Sequence, residues 1–135
     1  MELADTSAWT NKHKSSSADT DFQTRIIEGE IATCPMVVME LLWTTRSQAE
    51  FMELREDLEA LPQLPIDATT WARAMDVWSM LVRDGRHRHA KIQDLLVAAT
   101  AEIAGVAVCH YDSDFEAIAS VTGQFIRSIA PIGSL

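Results

Sequence analysis

The hydrophobic positions of the chain fall into two kinds of segment, short apolar runs and longer stretches with helical spacing. The short runs predict β-strands of about four residues at Glu2–Asp5, Glu30–Cys34, Val106–Cys109 and Gln124–Ser128. The run Val106–Cys109 is apolar throughout, which is typical of a strand in the interior of a parallel sheet. Strands that alternate with helices indicate the α/β class. We expect one domain over residues 1–135, with a short-stranded parallel sheet flanked by helices on both faces.

Helices are predicted between these strands from hydrophobic spacing and from start and stop signals. Thr6 and Ser7 indicate a first helix start. Longer helices are predicted from near Asp19 to Glu28, from Pro35 through Trp43, over Ser47–Leu61, from Asp67 to Gly85, from about His89 to Gly105 and from Asp112 through Ala119. The segment Asn11–Thr20 is polar and contains three consecutive serines, so it is expected to form a loop.

Two of these helices carry a pronounced apolar pattern. In the helix after Asp67, one apolar face is formed by Trp71, Met75, Trp78 and Val82. In the helix after His89, the residues expected to point inward are Ile92, Leu95, Leu96, Ala99 and Ile103. Both patterns indicate packing against the core or, for the two tryptophans, against a second copy of the chain.

The bulk composition is that of an ordinary globular domain, with 47% apolar and 23% charged residues. The longest apolar stretch, Pro35–Trp43, is interrupted by Glu40 and is too short to cross a bilayer. The N-terminus lacks the basic start and apolar middle of a signal peptide, so we expect a cytoplasmic protein without a membrane partner. The two cysteines, Cys34 and Cys109, are expected to be reduced and buried in strands.

The formal net charge of −9 argues at first against nucleic acid as a ligand, because phosphate binding normally needs a basic surface. The objection weakens if several acids share one site with a divalent cation. It weakens further if the basic residues cluster, and four of them fall within nine positions: Arg83, Arg86, Arg88 and Lys91. By default such a run is a solvated surface, and an acidic remainder could equally face a basic partner protein.

Several acidic residues lie directly after predicted strands or within apolar helices, where acidic residues are uncommon. Asp5 follows the first strand directly, and Asp112 and Asp114 lie just past the strand that ends at Cys109. Because the carboxyl ends of parallel strands meet at one edge of a sheet, these side chains should lie close together. Glu40 and Asp94 sit within apolar helices, from whose N-terminal turns they can reach the same edge.

Such a set of carboxylates predicts a site for Mg²⁺ or Mn²⁺, which prefer oxygen ligands. Clustered anions repel one another unless a cation lies among them. From the residues alone, however, a second explanation stays open: an Asp after a strand is often only a helix cap. The carboxylate in the apolar helix, Glu40, is the hardest to explain in that way, because burying an unpaired carboxylate is costly.

Two other classes of α/β protein with acidic sites can be excluded. A phosphoacceptor receiver domain needs adjacent acids after its first strand and a lysine after a late strand. Here Ala4 precedes Asp5, and no lysine follows Lys91. A phosphatase of the haloacid dehalogenase type needs a second Asp two residues after the first, and Ser7 occupies that place.

Four segments of the chain, in order and spread over essentially its whole length, resemble the motifs of the PIN-domain ribonucleases, and especially of the VapC toxins of bacterial toxin–antitoxin pairs. The matching segments are Asp5–Trp9, Met39–Leu42, Gln93–Ala101 and His110–Phe115. The first strand is shorter than is usual in that family. His110 stands where many members have Thr, and we expect it to pack or cap locally.

The resemblance implies a Mg²⁺- or Mn²⁺-dependent endoribonuclease that hydrolyses RNA phosphodiester bonds with a metal-activated water. It implies that the metal and the catalysis are served by Asp5, Glu40, Asp94 and Asp112, with Asp114 assisting as a metal ligand and Ser7 supporting the site. It also implies a homodimer that is inhibited by a cognate antitoxin protein, whose C-terminal segment fills the active-site groove. The alternative is a non-catalytic module that keeps the PIN fold to bind RNA or protein.

A ribonuclease also needs surfaces that bind its substrate. In that case Arg83, Arg86, Arg88 and Lys91 become reasonable contacts to RNA phosphates. Trp9 and Trp43 flank the acidic motifs, and either side chain could stack on an RNA base.

Overall fold

The computed structural model describes residues 1–135 and contains four strands and seven α-helices. The strands are β1 (Glu2–Ala4), β2 (Ile31–Ala32), β3 (Ala107–His110) and β4 (Ile126–Ser128). The helices are α1 (Thr6–Asn11), α2 (Ser16–Ile27), α3 (Pro35–Trp43), α4 (Gln48–Glu59), α5 (Ala68–Arg83), α6 (Ile92–Ala104) and α7 (Asp114–Thr122). A 3₁₀ turn over Lys12–Lys14 joins α1 to α2. The predicted single α/β domain is confirmed.

The four strands form one parallel sheet in the order β2-β1-β3-β4. Leu3 of β1 pairs with Ala32 on one side and with Val108 on the other. The chain therefore runs from β1 to one neighbour and later returns to place β3 on the opposite side. At such a change of direction the carboxyl ends of the two strands open into a crevice, and this is where ligands bind in parallel sheets.

Helices cover both faces of the sheet, as predicted, because neighbouring residues of each strand point to opposite faces. Leu3 and Val108 belong to a large apolar cluster with buried residues from α3 to α7. Ala4 and Cys109 belong to a second cluster, with Ala8 of α1 and residues of α2. The first two helices, α1 and α2, thus pack on one face, and the other helices pack on the opposite face.

The segment Asn11–Thr20 is largely helical, so its prediction as a loop is wrong. The Ser15 hydroxyl accepts a hydrogen bond from the Ala18 backbone N–H at 3.3 Å and caps α2. Serine is a poor residue inside a helix but one of the best at its start, so the run of serines marks the beginning of this helix. Asp19 lies inside the first turn and pairs with Lys12.

The predicted apolar face of α5 is mostly exposed. Trp71, Met75 and Val82 are 55%, 59% and 50% exposed. The residues that α5 buries lie on the adjacent stripe: Thr70, Ala74, Val77 and Leu81. Trp78, the fourth residue of the predicted face, is half-buried and packs against the core. The other three residues of that face are left at the surface.

In α6 the inward direction is confirmed for Leu95, Leu96 and Ala99, which are buried, but not for Ile92 and Ile103. The middle of this helix, Asp94–Ala101, is buried without interruption, whereas its first and last turns emerge at the surface. Ile92 and Ile103 lie in these two end turns and are therefore exposed. The helix begins at Ile92, three residues after the predicted start at His89.

Other boundaries differ by a few residues. Strand β2 is only two residues long, because Thr33 forms an isolated bridge with Gln63 instead of extending the pairing with β1. Cys34 is consequently buried at the start of α3 and not in a strand, whereas Cys109 lies in β3; both cysteines are free. No helix combines the length and the apolar character needed to cross a membrane.

Candidate active site

The carboxyl ends of β1 and β3 are joined by a short chain of hydrogen bonds through Ser7. Asp5 caps α1, and its Oδ2 accepts hydrogen bonds from the Ser7 backbone N–H at 2.9 Å and from Ser7 Oγ at 2.6 Å. The Tyr111 backbone N–H donates to Ser7 Oγ at 2.9 Å. The predicted supporting role of Ser7 therefore has a geometric basis: its hydroxyl orients the Asp5 carboxylate and fixes it relative to the loop after β3.

Three carboxylates, from α6, that loop and the start of α7, meet at this edge of the sheet. One carboxylate oxygen each of Asp94, Asp112 and Asp114 lies within 4.8 Å of the others. The loop is held by hydrogen bonds, because Asp112 Oδ1 accepts the Asp114 backbone N–H at 2.9 Å and His110 Nδ1 accepts the Asp112 backbone N–H at 3.1 Å. His110 is buried against the Phe115 ring, and its pKa is lowered chiefly by burial. His110 thus packs and caps locally, as the sequence predicted.

Asp94 is the most strongly perturbed of the acids. It lies in the first turn of α6, is buried, and has an Oδ2 atom that accepts no hydrogen bond. Burial, together with the hydrogen bond to Asp114 and the negative charge of Asp5, raises the pKa of Asp94 to about 8. A buried carboxylate with an unsatisfied oxygen is a costly arrangement, and a bound cation would relieve it.

Asp5 and Glu40 extend the negative site beyond these three carboxylates. Burial and, to a smaller extent, the nearby Asp112 raise the pKa of Asp5. Glu40 lies in the second turn of α3 and is half-buried, and its pKa is raised by burial and by Asp5. Thr6 Oγ1 donates a hydrogen bond to Glu40 Oε1 at 3.2 Å. In the sequence Thr6 is part of a helix start, and its position next to the strand-end Asp5 is the signal for this further role.

A cation of the protein itself lies among the three clustered carboxylates. Lys91 Nζ is 3.0 Å from Asp114 Oδ2, 3.3 Å from Asp112 Oδ2 and 3.6 Å from Asp94 Oδ2. The hydrogen bond to Asp114 is the main reason that the pKa of Lys91 is raised above its usual value. The sequence placed Lys91 in a basic run and did not place it inside the acidic site. The spacing of three residues to Asp94 was the local hint.

The other members of the basic run are arranged differently. Arg86 is half-buried and donates to the Ala117 backbone oxygen at 3.0 Å and to Ser120 Oγ, so it holds the loop after α5 against α7. Arg83 and Arg88 are exposed. The four basic residues therefore do not form one free cationic surface.

A shallow cavity of about 380 Å³ opens beside Glu40. Its lining residues include Thr6, Met39, Trp43 and Gln93. The Trp43 side chain is 88% exposed, although tryptophan is usually largely buried. The acidic site thus adjoins a cavity whose lining includes the exposed ring of Trp43.

The chemistry of the donor set matches a hard divalent cation. All five acids offer oxygen atoms, and Mg²⁺ and Mn²⁺ are typically held by a few carboxylates and water. The unsatisfied Oδ2 of Asp94 and the raised pKa values of Asp5, Glu40 and Asp94 indicate a shortage of positive charge in the site. The residues present therefore fit the group that the motifs imply.

Comparison with known proteins gives a consistent result. The model of the PIN domain family matches residues 3–121. The chain is 35% identical over 133 residues to a Mycobacterium tuberculosis protein named Ribonuclease VapC18, covering 97% of this chain and 96% of that one. It is 37% identical over 109 residues to Ribonuclease VapC21 of the same organism, covering 78% of each chain.

Solved structures with the same fold have lower sequence identity. A chain from the crystal structure of DNA-bound VapBC from Salmonella typhimurium superposes with a TM-score of 0.75 at 19% identity, covering 96% of this chain and all of that one. A chain from the crystal structure of FitAcB from Neisseria gonorrhoeae gives a TM-score of 0.72, also at 19% identity, covering 96% and 98% of the two chains. At this identity the likeness concerns the fold.

Proposed function

The chain belongs to the PIN domain family, among the VapC ribonucleases, and on that premise we propose that it is a metal-dependent endoribonuclease that hydrolyses RNA phosphodiester bonds as the toxin of a toxin–antitoxin pair. One observation carries the proposal. Three carboxylates, from α6, the loop after β3 and the start of α7, meet within 4.8 Å at the carboxyl edge of the sheet, and one of them, Asp94, is buried with an unsatisfied oxygen.

The proposed metal is Mg²⁺ or Mn²⁺, and the residues that would hold it are Asp5, Glu40, Asp94 and Asp112, with Asp114 assisting. When bound, the ion would lower the pKa of the attacking water and stabilise charge on the leaving oxygen. Side chains of the protein would position the water, accept its proton and bind the RNA.

These side chains are already fixed in position. The Ser7 hydroxyl orients the Asp5 carboxylate, and the Thr6 hydroxyl orients Glu40. We assign to Glu40 the task of orienting the attacking water and accepting its proton. Its pKa is raised and its side chain is half-exposed, which suits a general base that must meet a solvent molecule.

For the RNA phosphates we propose contacts with Arg83, Arg86, Arg88 and Lys91, and the four have unequal support. The exposed guanidinium groups of Arg83 and Arg88 are free to meet phosphates. Arg86 and Lys91 are engaged in contacts with the protein and would have to leave them first. The exposed Trp43 ring beside Glu40 is the proposed stacking surface for an unpaired base.

Two protein partners belong to the proposal. An antitoxin is suggested by the solved relatives, which are described as VapBC complexes, and by the net charge of −9, which favours a basic partner segment. A homodimer is suggested by the resemblance, and the exposed apolar side chains Trp71, Met75 and Ile92 offer a surface that it could bury. We place this activity in the cytoplasm.

The decisive experiment is cleavage of a mixed RNA pool by the purified chain with Mn²⁺, with EDTA, and with the variants Asp5→Asn and Asp94→Asn. We expect cleavage that requires both the metal and the two carboxylates. Asp76→Asn is a matched control, because Asp76 is an exposed acid on α5 outside the site, and it should cleave like the unmodified chain. Full activity of both active-site variants would refute the assignment. The absence of cleavage under every condition would favour a PIN-fold binding module.

A further inference from the structure

Lys91 occupies an unusual position for a lysine. It is the residue that precedes the first turn of α6, and its side chain makes no capping hydrogen bond there. Helix N-termini favour Ser, Thr, Asp or Asn as caps, and a positive charge at this end opposes the helix dipole. The benefit of lysine here must therefore come from elsewhere. Its only charged partners are Asp94, Asp112 and Asp114.

The ammonium group also lies where a cation would lie. Its distances to the Oδ2 atoms of Asp114, Asp112 and Asp94 are 3.0, 3.3 and 3.6 Å, and one oxygen of each carboxylate lies within 4.8 Å of the others. A divalent ion that coordinated the same carboxylates would occupy this space and would repel the ammonium group. The two cations therefore exclude each other.

We propose that Lys91 is a built-in counter-ion of the acidic site, which compensates negative charge among Asp94, Asp112 and Asp114 in the metal-free protein and must be displaced when the divalent cation binds. Lys91 thereby competes with the metal and sets the metal concentration at which the site is filled. The inference rests on the proposed function, because it assumes that the same carboxylates hold the metal.

The structure of the side chain allows such displacement. Lys91 is 60% exposed, so only its ammonium group is engaged, and a flexible four-carbon chain can turn outward without disturbing the core. Asp94, by contrast, is 8% exposed and cannot follow the ammonium group into solvent. The carboxylates therefore stay in place as an intact site while the lysine leaves.

The proposal predicts opposite effects of one substitution on two states of the protein. Lys91→Met removes the internal counter-ion, so the metal-free protein should lose stability because its carboxylates repel one another without compensation. The metal-bound protein should lose little, because its lysine has already been displaced. The variant should consequently bind Mn²⁺ about two- to fivefold more tightly, which is the size expected from the loss of a partly exposed ion pair.

The test is a titration of the full chain with Mn²⁺ in the absence of RNA. Binding is measured from the electron paramagnetic resonance signal of free Mn²⁺ and from the metal-induced shift in melting temperature. Lys14→Met is the matched control, because Lys14 is an exposed lysine outside the site and its loss changes the net charge equally. We expect tighter binding and a larger thermal shift for Lys91→Met and no change for Lys14→Met. Lys91→Gln repeats the measurement should the Met variant fold poorly.

Equal or weaker Mn²⁺ binding by both Lys91 variants would overturn the proposal, since a lysine that merely organises the carboxylates would weaken binding when removed. Asp94→Asn separates this result from failure of the proposed function. If the unmodified chain binds Mn²⁺ and Asp94→Asn does not, the metal site stands whatever Lys91 does. If no protein in the series binds Mn²⁺, the metal site and the competition fail together.

Discussion

Asp94→Asn should stabilise the metal-free protein while it abolishes cleavage. The buried carboxyl of Asp94 has its pKa raised from an ordinary value of 3.8 to about 8, chiefly by loss of solvation. The folded state therefore holds this proton more tightly than the unfolded state does. The resulting contribution to stability is fully present below about pH 4 and is lost as the pH rises toward 8.

The size of the effect follows from the interval between the ordinary pKa and the working pH. At pH 7 about three units separate them, and each unit corresponds to about 1.4 kcal/mol, which gives an upper bound of about 4 kcal/mol. The nearby ammonium group of Lys91 opposes part of this penalty, because it favours the ionised carboxylate. We therefore expect Asp94→Asn to raise the free energy of unfolding at pH 7 by about 1–3 kcal/mol.

The assay is urea unfolding in EDTA at pH 5 and at pH 7.5, with Asp76→Asn as an exposed control. The advantage of Asp94→Asn should widen by about 1 kcal/mol or more between the two pH values, whereas the control should follow the unmodified chain. In saturating Mn²⁺ the order should reverse, because only the unmodified chain gains from the ligand. A difference that does not depend on pH, or a variant that is less stable at pH 7.5, would refute the reasoning.

Three further predictions concern the fold and the support of the site. Burial raises the pKa of Cys109 to about 12, so this thiol should resist iodoacetamide at pH 8 in the native protein and react once the chain is unfolded in urea. Glu2 accepts two hydrogen bonds from Arg127, at 2.7 and 2.8 Å, so Glu2→Gln should lower the free energy of unfolding by about 2 kcal/mol. Urea unfolding of Glu2→Gln is compared with that of Glu30→Gln. Equal losses of unfolding free energy in the two variants would contradict the prediction. Ser7→Ala should slow RNA cleavage about 10–100-fold with little change in melting temperature, because Ser7 orients Asp5; an unchanged rate would remove Ser7 from the site.

The carboxyl edge of the sheet was predictable from the chain because it depends on local signals. A strand ends where its apolar run ends, and Asp5 and Asp112 follow such runs directly. Parallel strands necessarily place those ends together. The fold class, the location of the candidate site and the candidate ligands could therefore be predicted before any contact was known. The family motifs then indicated which of the acids form one set.

The exposed surface of α5 could not be predicted in the same way. Periodicity identifies stripes of apolar residues but does not distinguish between two neighbouring stripes. Here Trp71 and Met75 are exposed, whereas Ala74 and Val77 on the adjacent stripe are buried. Which stripe becomes buried depends on tertiary packing against other helices, and the local sequence of α5 contains no information about that packing.

The environment of Lys91 was beyond prediction for a related reason. Its contacts with Asp112 and Asp114 join residues 21 and 23 positions apart and depend on the particular turn between β3 and α7. In the sequence, a lysine that follows three arginines indicates a basic surface. In the fold, it is the residue that compensates the acids. A net charge of −9 therefore says little about the electrostatics of this site. On the competition proposed above, the electrostatic free energy of the site depends on which cation lies among Asp94, Asp112 and Asp114: the ammonium group of Lys91 or a divalent ion.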